Sequence, residues 1–195
     1  GCHLREGEKE LLQEAWDKAK NCDAIVCVLG GSSSRFSGAT FDANGAALTG
    51  DDSDGSIARI TMDCGEGMDC ADLQLPSAQL ELLQAMAESG RPLIALVISG
   101  RPLALADVCR LADAVILAFY PGPAGGKAAA GILAGQVNPS GRLPVSLPRS
   151  TGQVPVYYNY KNSYRGMHYM DEKEGPLYPF GCGLDYSRYE WAVES

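Results

Sequence analysis

Acid–base chemistry is within reach of one stretch of the chain, Met62-Asp63-Cys64-Gly65-Glu66-Gly67-Met68-Asp69-Cys70-Ala71-Asp72-Leu73-Gln74-Leu75-Pro76. A single glutamate stands between two glycines, after a long polar segment and just before an expected helix. Glycine flanks let the backbone bend sharply and approach another molecule closely. They leave the carboxyl of Glu66 uncovered by neighbouring side chains, free to give or take a proton. An exposed glutamate is ordinarily just solvated surface, so the other elements have to decide its meaning.

Those elements read as repeated βα units. Glu8 to Lys20 has Leu11, Leu12, Ala15, Trp16 and Ala19 at helical spacing. Ala24 to Leu29 is a continuous apolar run, as expected of a strand buried on both faces. It closes in Gly30-Gly31-Ser32-Ser33-Ser34-Arg35, a turn at the place where open α/β sheets put ligands. Phe36 to Asp63 has weak periodicity, and a connection of that length is usually functional or disordered. After Pro76, helix is expected from Ala78 to Ser89, strand from Leu93 to Ile98 and helix from Leu103 to Leu111. Strand follows from Ala114 to Phe119 and helix from Lys127 to Ala134. Beyond Asn138 prolines become frequent, and Val145–Leu147 and Val154–Tyr158 could be short edge strands. The fold class is α/β with a mostly parallel sheet.

Composition narrows the function classes. The 195 residues are 46% hydrophobic and 21% charged, which suits a packed domain. A net charge of −8 argues against nucleic acid or an anionic membrane as partner, since both need a basic patch. No apolar run is long enough to span a bilayer. Residues 1–6 lack the apolar core of a signal peptide. The seven cysteines are odd in number and repeat no spacing. Cys64 and Cys70 share a loop and could pair, but free thiols in a reducing, cytoplasmic compartment are the simpler expectation. His3 and His168 are isolated, so no zinc site is expected. Asp51-Asp52-Ser53-Asp54-Gly55 lacks two ligands of a calcium loop. No cofactor is expected.

Gly65-Glu66-Gly67-x-Asp69 is followed by Leu73-x-Leu75-Pro76 and Gln79-x-x-Leu82-Leu83. Ser99-Gly100-Arg101-Pro102-Leu103 comes next, then Asn138-Pro139-Ser140-Gly141-Arg142-Leu143-Pro144. Pro148-Arg149-Ser150, Pro155 and Tyr157-Tyr158-Asn159 precede Pro176-Leu177-Tyr178-Pro179-Phe180-Gly181-x-Gly183-Leu184-x-Tyr186. In this order and spacing the motifs resemble the C-terminal domain of glycoside hydrolase family 3, the β-glucosidase and β-xylosidase family, from about Gly1 to Trp191. Residues 192–195 would begin a linker. Three positions depart from the family pattern. Cys70 stands where it has arginine, Pro123-Ala124 interrupts its glycine turn, and Asp185 and Ser187 alter its closing motif.

The resemblance implies a three-layer α/β/α sandwich with a six-stranded sheet. It also implies an active site shared with a preceding barrel domain that carries an aspartate nucleophile. The barrel is not in these residues, so the chain is expected to be part of a longer protein. On the matched position Glu66 is the general acid/base, and β-linked glucosides or xylosides are the implied substrates. A retaining glycosidase needs two carboxyl groups about 5–5.5 Å apart, and the acid must be held protonated by its surroundings or by the nucleophile. Arg35 and Asp69 are the candidate substrate-binding residues. Asp69 could orient the loop or cap the helix that follows. Arg35 could hydrogen-bond a sugar hydroxyl or pair with a loop aspartate. Arg101 fits a structural link at a sheet end better than a sugar contact. Two other functions stay open: a non-catalytic carbohydrate-binding or interaction domain, and a nucleotide-binding domain using Gly30-Gly31-Ser32-Ser33. For the latter, a dinucleotide fingerprint would have to run straight into a helix.

Overall fold

The computed structural model describes residues 1–32, 40–41, 47–48, 63–64, 69–161, 168–190 and 192. The elements run α1 (Lys9–Ala19), β1 (Ile25–Gly30), β2 (Thr40–Phe41), β3 (Ala47–Leu48), α2 (Ser77–Glu88), β4 (Leu93–Ile98), α3 (Ala106–Leu111), β5 (Ala114–Leu117) and α4 (Gly125–Leu133). A 3-10 turn at Thr151–Gln153 follows. Strands β1, β4 and β5 form a parallel sheet in that order, with Cys27 beside Ala95 and Leu29 beside Val97. Strands β2 and β3 make a separate antiparallel pair. Apart from that pair, residues 36–62, with Asp51–Gly55 among them, lie outside the described residues, as do Arg35, Glu66 and Trp191.

The three strands of this sheet, connected through α2 and α3, obey the rule that parallel neighbours need a crossover. The helices pack in series, α1 on α2 and α2 on α3. They share one core with the inward residues of the sheet: Ala19, Cys27, Leu29, Leu83, Met86, Leu93, Ala95, Val97 and Val108. Helix α1 turns inward the five residues whose spacing predicts it, with Ala19 the deepest. The expectation that β1 is buried on both faces is corrected here. Cys27 and Leu29 face the helices, but Val26 is 43% and Val28 62% exposed. Side chains alternate across a strand, and the three packed helices cover one face only.

The sheet is parallel, as expected of the α/β class. Among the described residues it has three strands. The prolines of the tail each remove a ladder donor. Val145–Leu147 contributes a single antiparallel bridge, in which Leu147 N–H donates to Tyr178 C=O at 2.9 Å and Leu177 N–H to Leu147 C=O at 2.8 Å. Val154–Tyr158 forms no strand. The tail nevertheless closes the core, since Leu147 is buried within it. Helix α3 is shorter than its periodicity predicts: Leu105, with φ −102 and ψ 21, lies outside the helical region, and Ala104 N–H donates to Leu73 C=O at 2.9 Å.

The core has a chemical signature. Burial pushes the Cys27 thiol from its ordinary 9.0 up to about 11. Burial also raises Cys109, and a hydrogen bond with Cys109 raises Tyr178. A raised folded-state value means that the native state keeps its proton where the unfolded chain has lost it. Stability is then full below pH 9 and falls as pH climbs through 11. For Cys27 the loss is on the order of 2–3 kcal/mol, readable by denaturant titration at pH 8 and pH 11. Timed alkylation at pH 8 should modify exposed Cys22 first and Cys27 last.

Candidate functional site

A cavity of about 310 Å³ opens at the carboxyl ends of β1 and β4. Gly30, Gly31, Asp63, Cys64, Asp69 and Arg101 contribute to its wall. This is the position that an open parallel sheet offers to ligands. The strand-end turn is built by two glycines. Gly30 has φ +132, and a Cβ there would stand 1.9 Å from the carbonyl oxygen of Ile98. A Cβ on Gly31 would stand 2.5 Å from Oδ1 of Asp63. Only residues without a Cβ let β1 end this close to β4 and to the loop beyond.

Helix α2 holds the turn from beneath. Gln79 is buried, and its amide oxygen accepts from Gly30 N–H at 2.8 Å. Its amide nitrogen donates to the Gly30 carbonyl at 2.9 Å and to the Leu4 carbonyl at 2.8 Å. One side chain thus satisfies both backbone groups of Gly30, as a neighbouring strand would. Asp63 holds the turn from above. Its carboxylate accepts from Ser32 N–H at 2.8 Å, and its own N–H donates to the Ser32 carbonyl at 2.9 Å. Its carbonyl accepts from the Arg101 guanidinium at 3.2 Å and from the Cys70 thiol at 3.3 Å.

The two loop cysteines have separate partners and form no disulfide. Cys64 Sγ lies 3.0 Å from the Tyr120 hydroxyl, a bond that raises the tyrosine's pKa, with burial adding to the effect. Cys70 Sγ also receives a long contact from Arg5 at 3.8 Å. Downstream, Asp72 accepts from Gln74 N–H at 3.0 Å and from the Thr151 hydroxyl at 2.8 Å. These bonds, the backbone one first, hold the Asp72 carboxyl below its ordinary range. The Thr151 hydroxyl in turn accepts from Leu73 N–H at 2.9 Å, so the segment leading into α2 is fixed to the tail.

Of the residues expected to act, Asp69 is in the cavity wall and exposed. It does not cap α2, which starts eight residues later at Ser77 behind Pro76 with no side-chain cap. Arg101 is a link between the sheet end and the loop, through the Asp63 carbonyl. Asp63 and Tyr120 were not singled out by sequence reasoning, because their partners are distant in the chain. The tail motifs close on each other in the same way. Arg142 pairs with Asp185 at 2.6 Å and lowers its pKa. Asn138 Oδ1 accepts from Tyr186 N–H at 2.7 Å, and the Tyr186 hydroxyl donates to the Ile132 carbonyl at 3.0 Å.

The family model for the glycosyl hydrolase family 3 C-terminal domain matches residues 3–186. The chain belongs to this family. A periplasmic beta-glucosidase of Salmonella typhimurium is 34% identical over 189 residues, covering 92% of this chain and 21% of that protein. A beta-xylosidase of Formosa agariphila is 34% identical over 197 residues, covering 99% of this chain and 23% of the relative. Among solved structures, the beta-glucosidase of Listeria innocua in complex with glucose aligns at a TM-score of 0.78 and 28% identity, over 98% of this chain and 24% of that one. The chain therefore spans about a fifth to a quarter of the length of the relatives it matches. Family membership accounts for the order of the motifs, and the structure shows why they travel together: they bond one another across the fold.

Replacing Gln79 with leucine keeps its bulk and removes its amide. Gly30 N–H, Gly30 C=O and Leu4 C=O would lose their partner. Leaving a buried polar group unpaired costs about 1–3 kcal/mol, so Gln79→Leu should lower stability by roughly 2–4 kcal/mol. Chemical denaturation measures this, and an unchanged midpoint would show that Gln79 does not hold the strand end.

Proposed function

We propose that this domain supplies the general acid/base, Glu66, to the active site of a retaining β-glycosidase acting on β-linked glucosides or xylosides. One observation carries the reading. Cys64 and Asp69, which flank residues 65–68, both stand in the wall of the polar cavity at the strand ends. Glu66 is two residues from Cys64, and two peptide links reach at most about 7 Å. The proton donor would first protonate the leaving oxygen while a nucleophile attacks the anomeric carbon. As a base it would then take a proton from the water that releases the sugar. The nucleophile belongs to a barrel domain of the same protein, in keeping with relatives four to five times longer than this chain. Arg35 and Asp69 are proposed to bind the sugar. Membership of the family and the likeness to the Listeria enzyme also support the finer architecture, a six-stranded sheet between two helical layers. The domain extends to residue 191 in this reading.

The nucleotide reading loses support from the turn itself. Ser32 N–H, a donor that such a turn would offer to a phosphate, is taken by the Asp63 carboxylate at 2.8 Å.

In the full-length protein, Glu66→Ala should lower turnover of a glycoside with a poor leaving group by about 10²–10⁴-fold, the usual worth of general acid–base catalysis. Added azide should restore turnover of an activated aryl glycoside, since an anionic nucleophile needs no base. Undiminished turnover on the poor leaving group would overturn the assignment. The 195 residues alone should not hydrolyse an aryl β-glucoside or β-xyloside, because one of the two carboxyl groups is missing. Ready hydrolysis by the purified domain would refute the shared site.

A further inference from the structure

We infer that Asp63 is a positioning residue for this reaction, fixing the base of the loop that carries Glu66; the inference rests on the acid/base reading above. Three separate parts of the fold meet at Asp63. Its carboxylate and N–H pair with Ser32 at the end of β1, at 2.8 and 2.9 Å. Its carbonyl takes the guanidinium of Arg101, from the turn after β4, at 3.2 Å. The same carbonyl takes the thiol of Cys70, seven residues on, at 3.3 Å. The last contact joins Asp63 to Cys70 across the stretch of sequence that contains Glu66, so both attachment points of that stretch meet at Asp63. Both ends are half-buried.

The fit is close. The Asp63 carboxylate occupies the space that a side chain on residue 31 would need, at 2.5 Å from an ideal Cβ. Gly31 is thus required for Asp63 to reach the turn, and the pair forms one device. A structural cap elsewhere in the fold would stabilise the protein evenly. A cap on this loop should act on the proton donor in particular, because a displacement of about 1 Å at a catalytic group can cost about 100-fold.

The test uses the full-length protein and two substrates of one sugar: an alkyl β-glycoside, which needs a proton to leave, and a dinitrophenyl β-glycoside, which does not. Asp63→Ala should lower kcat/KM about 100-fold on the alkyl glycoside. It should change kcat/KM on the dinitrophenyl glycoside by no more than about threefold, since that bond breaks without acid assistance. Asp63→Asn keeps an oxygen for Ser32 N–H and should recover most of the loss. Gly31→Ala, which pushes a methyl into the same carboxylate, should reproduce the selective loss and serves if Asp63→Ala does not fold. An equal fall on both substrates, or no fall on either, overturns the inference. Glu66→Ala is run alongside. If Glu66→Ala spares the alkyl glycoside, the acid/base reading itself has failed. A selective loss in Glu66→Ala without one in Asp63→Ala removes only the role of Asp63.

Discussion

Everything at the mouth of the cavity depends on how β1 is allowed to end. A strand on the outside of a sheet presents unpaired N–H and C=O groups, and here the last residue must turn sharply while buried groups stay bonded. The Gln79 amide meets both demands at Gly30, with bonds of 2.8 and 2.9 Å. Because Gln79 belongs to α2, the helix that packs on the core also sets where the strand stops. The turn can then lean against β4 through Gly31 N–H and the Ile98 carbonyl at 2.9 Å. The loop is attached to a support already fixed from three directions.

The tail plays a comparable part at the other end of the motif. Thr151 joins Asp72 and the backbone of Leu73, while Leu147 enters the core. The segment between the loop and α2 is therefore clamped by residues far later in the chain. This explains why a proline-rich tail with little regular structure belongs to the domain. Its order comes from buried contacts and side-chain bonds, not from a ladder.

Much of the frame was legible in the sequence. The three parallel strands are short apolar runs closed by glycine or serine turns, and α1 shows all five inward residues at helical spacing. The motif order identified the family. The contacts that fix the loop were not legible. Gln79 meets a residue 49 positions away and Asp63 one 31 positions away, and neither pattern leaves a local signature. The α3 boundary was misread because Leu105 leaves the helical region where Ala104 bonds across the fold to Leu73, which periodicity does not report. The exposure of Val26 and Val28 was hidden for a related reason. An apolar run shows that a strand is hydrophobic, not how many layers cover it. Asp185, a departure from the family pattern, forms an ion pair with Arg142, 43 positions away, that no local pattern announces.

The two exposed valines of β1 bear on how the domain would behave in a test tube. Val26 and Val28 project from a strand with one free edge among the described residues, while their register partners on β4, Ile94 and Leu96, are half-buried and buried. Water meets the two valine side chains there, with a hydrogen-bonding rim beside them. Such a surface favours stacking of molecules on one another, and the net charge of −8 opposes it by mutual repulsion. Raising the salt concentration screens the repulsion and leaves the hydrocarbon contact untouched. Ionic strength thus becomes the variable that sets whether the isolated domain stays dispersed.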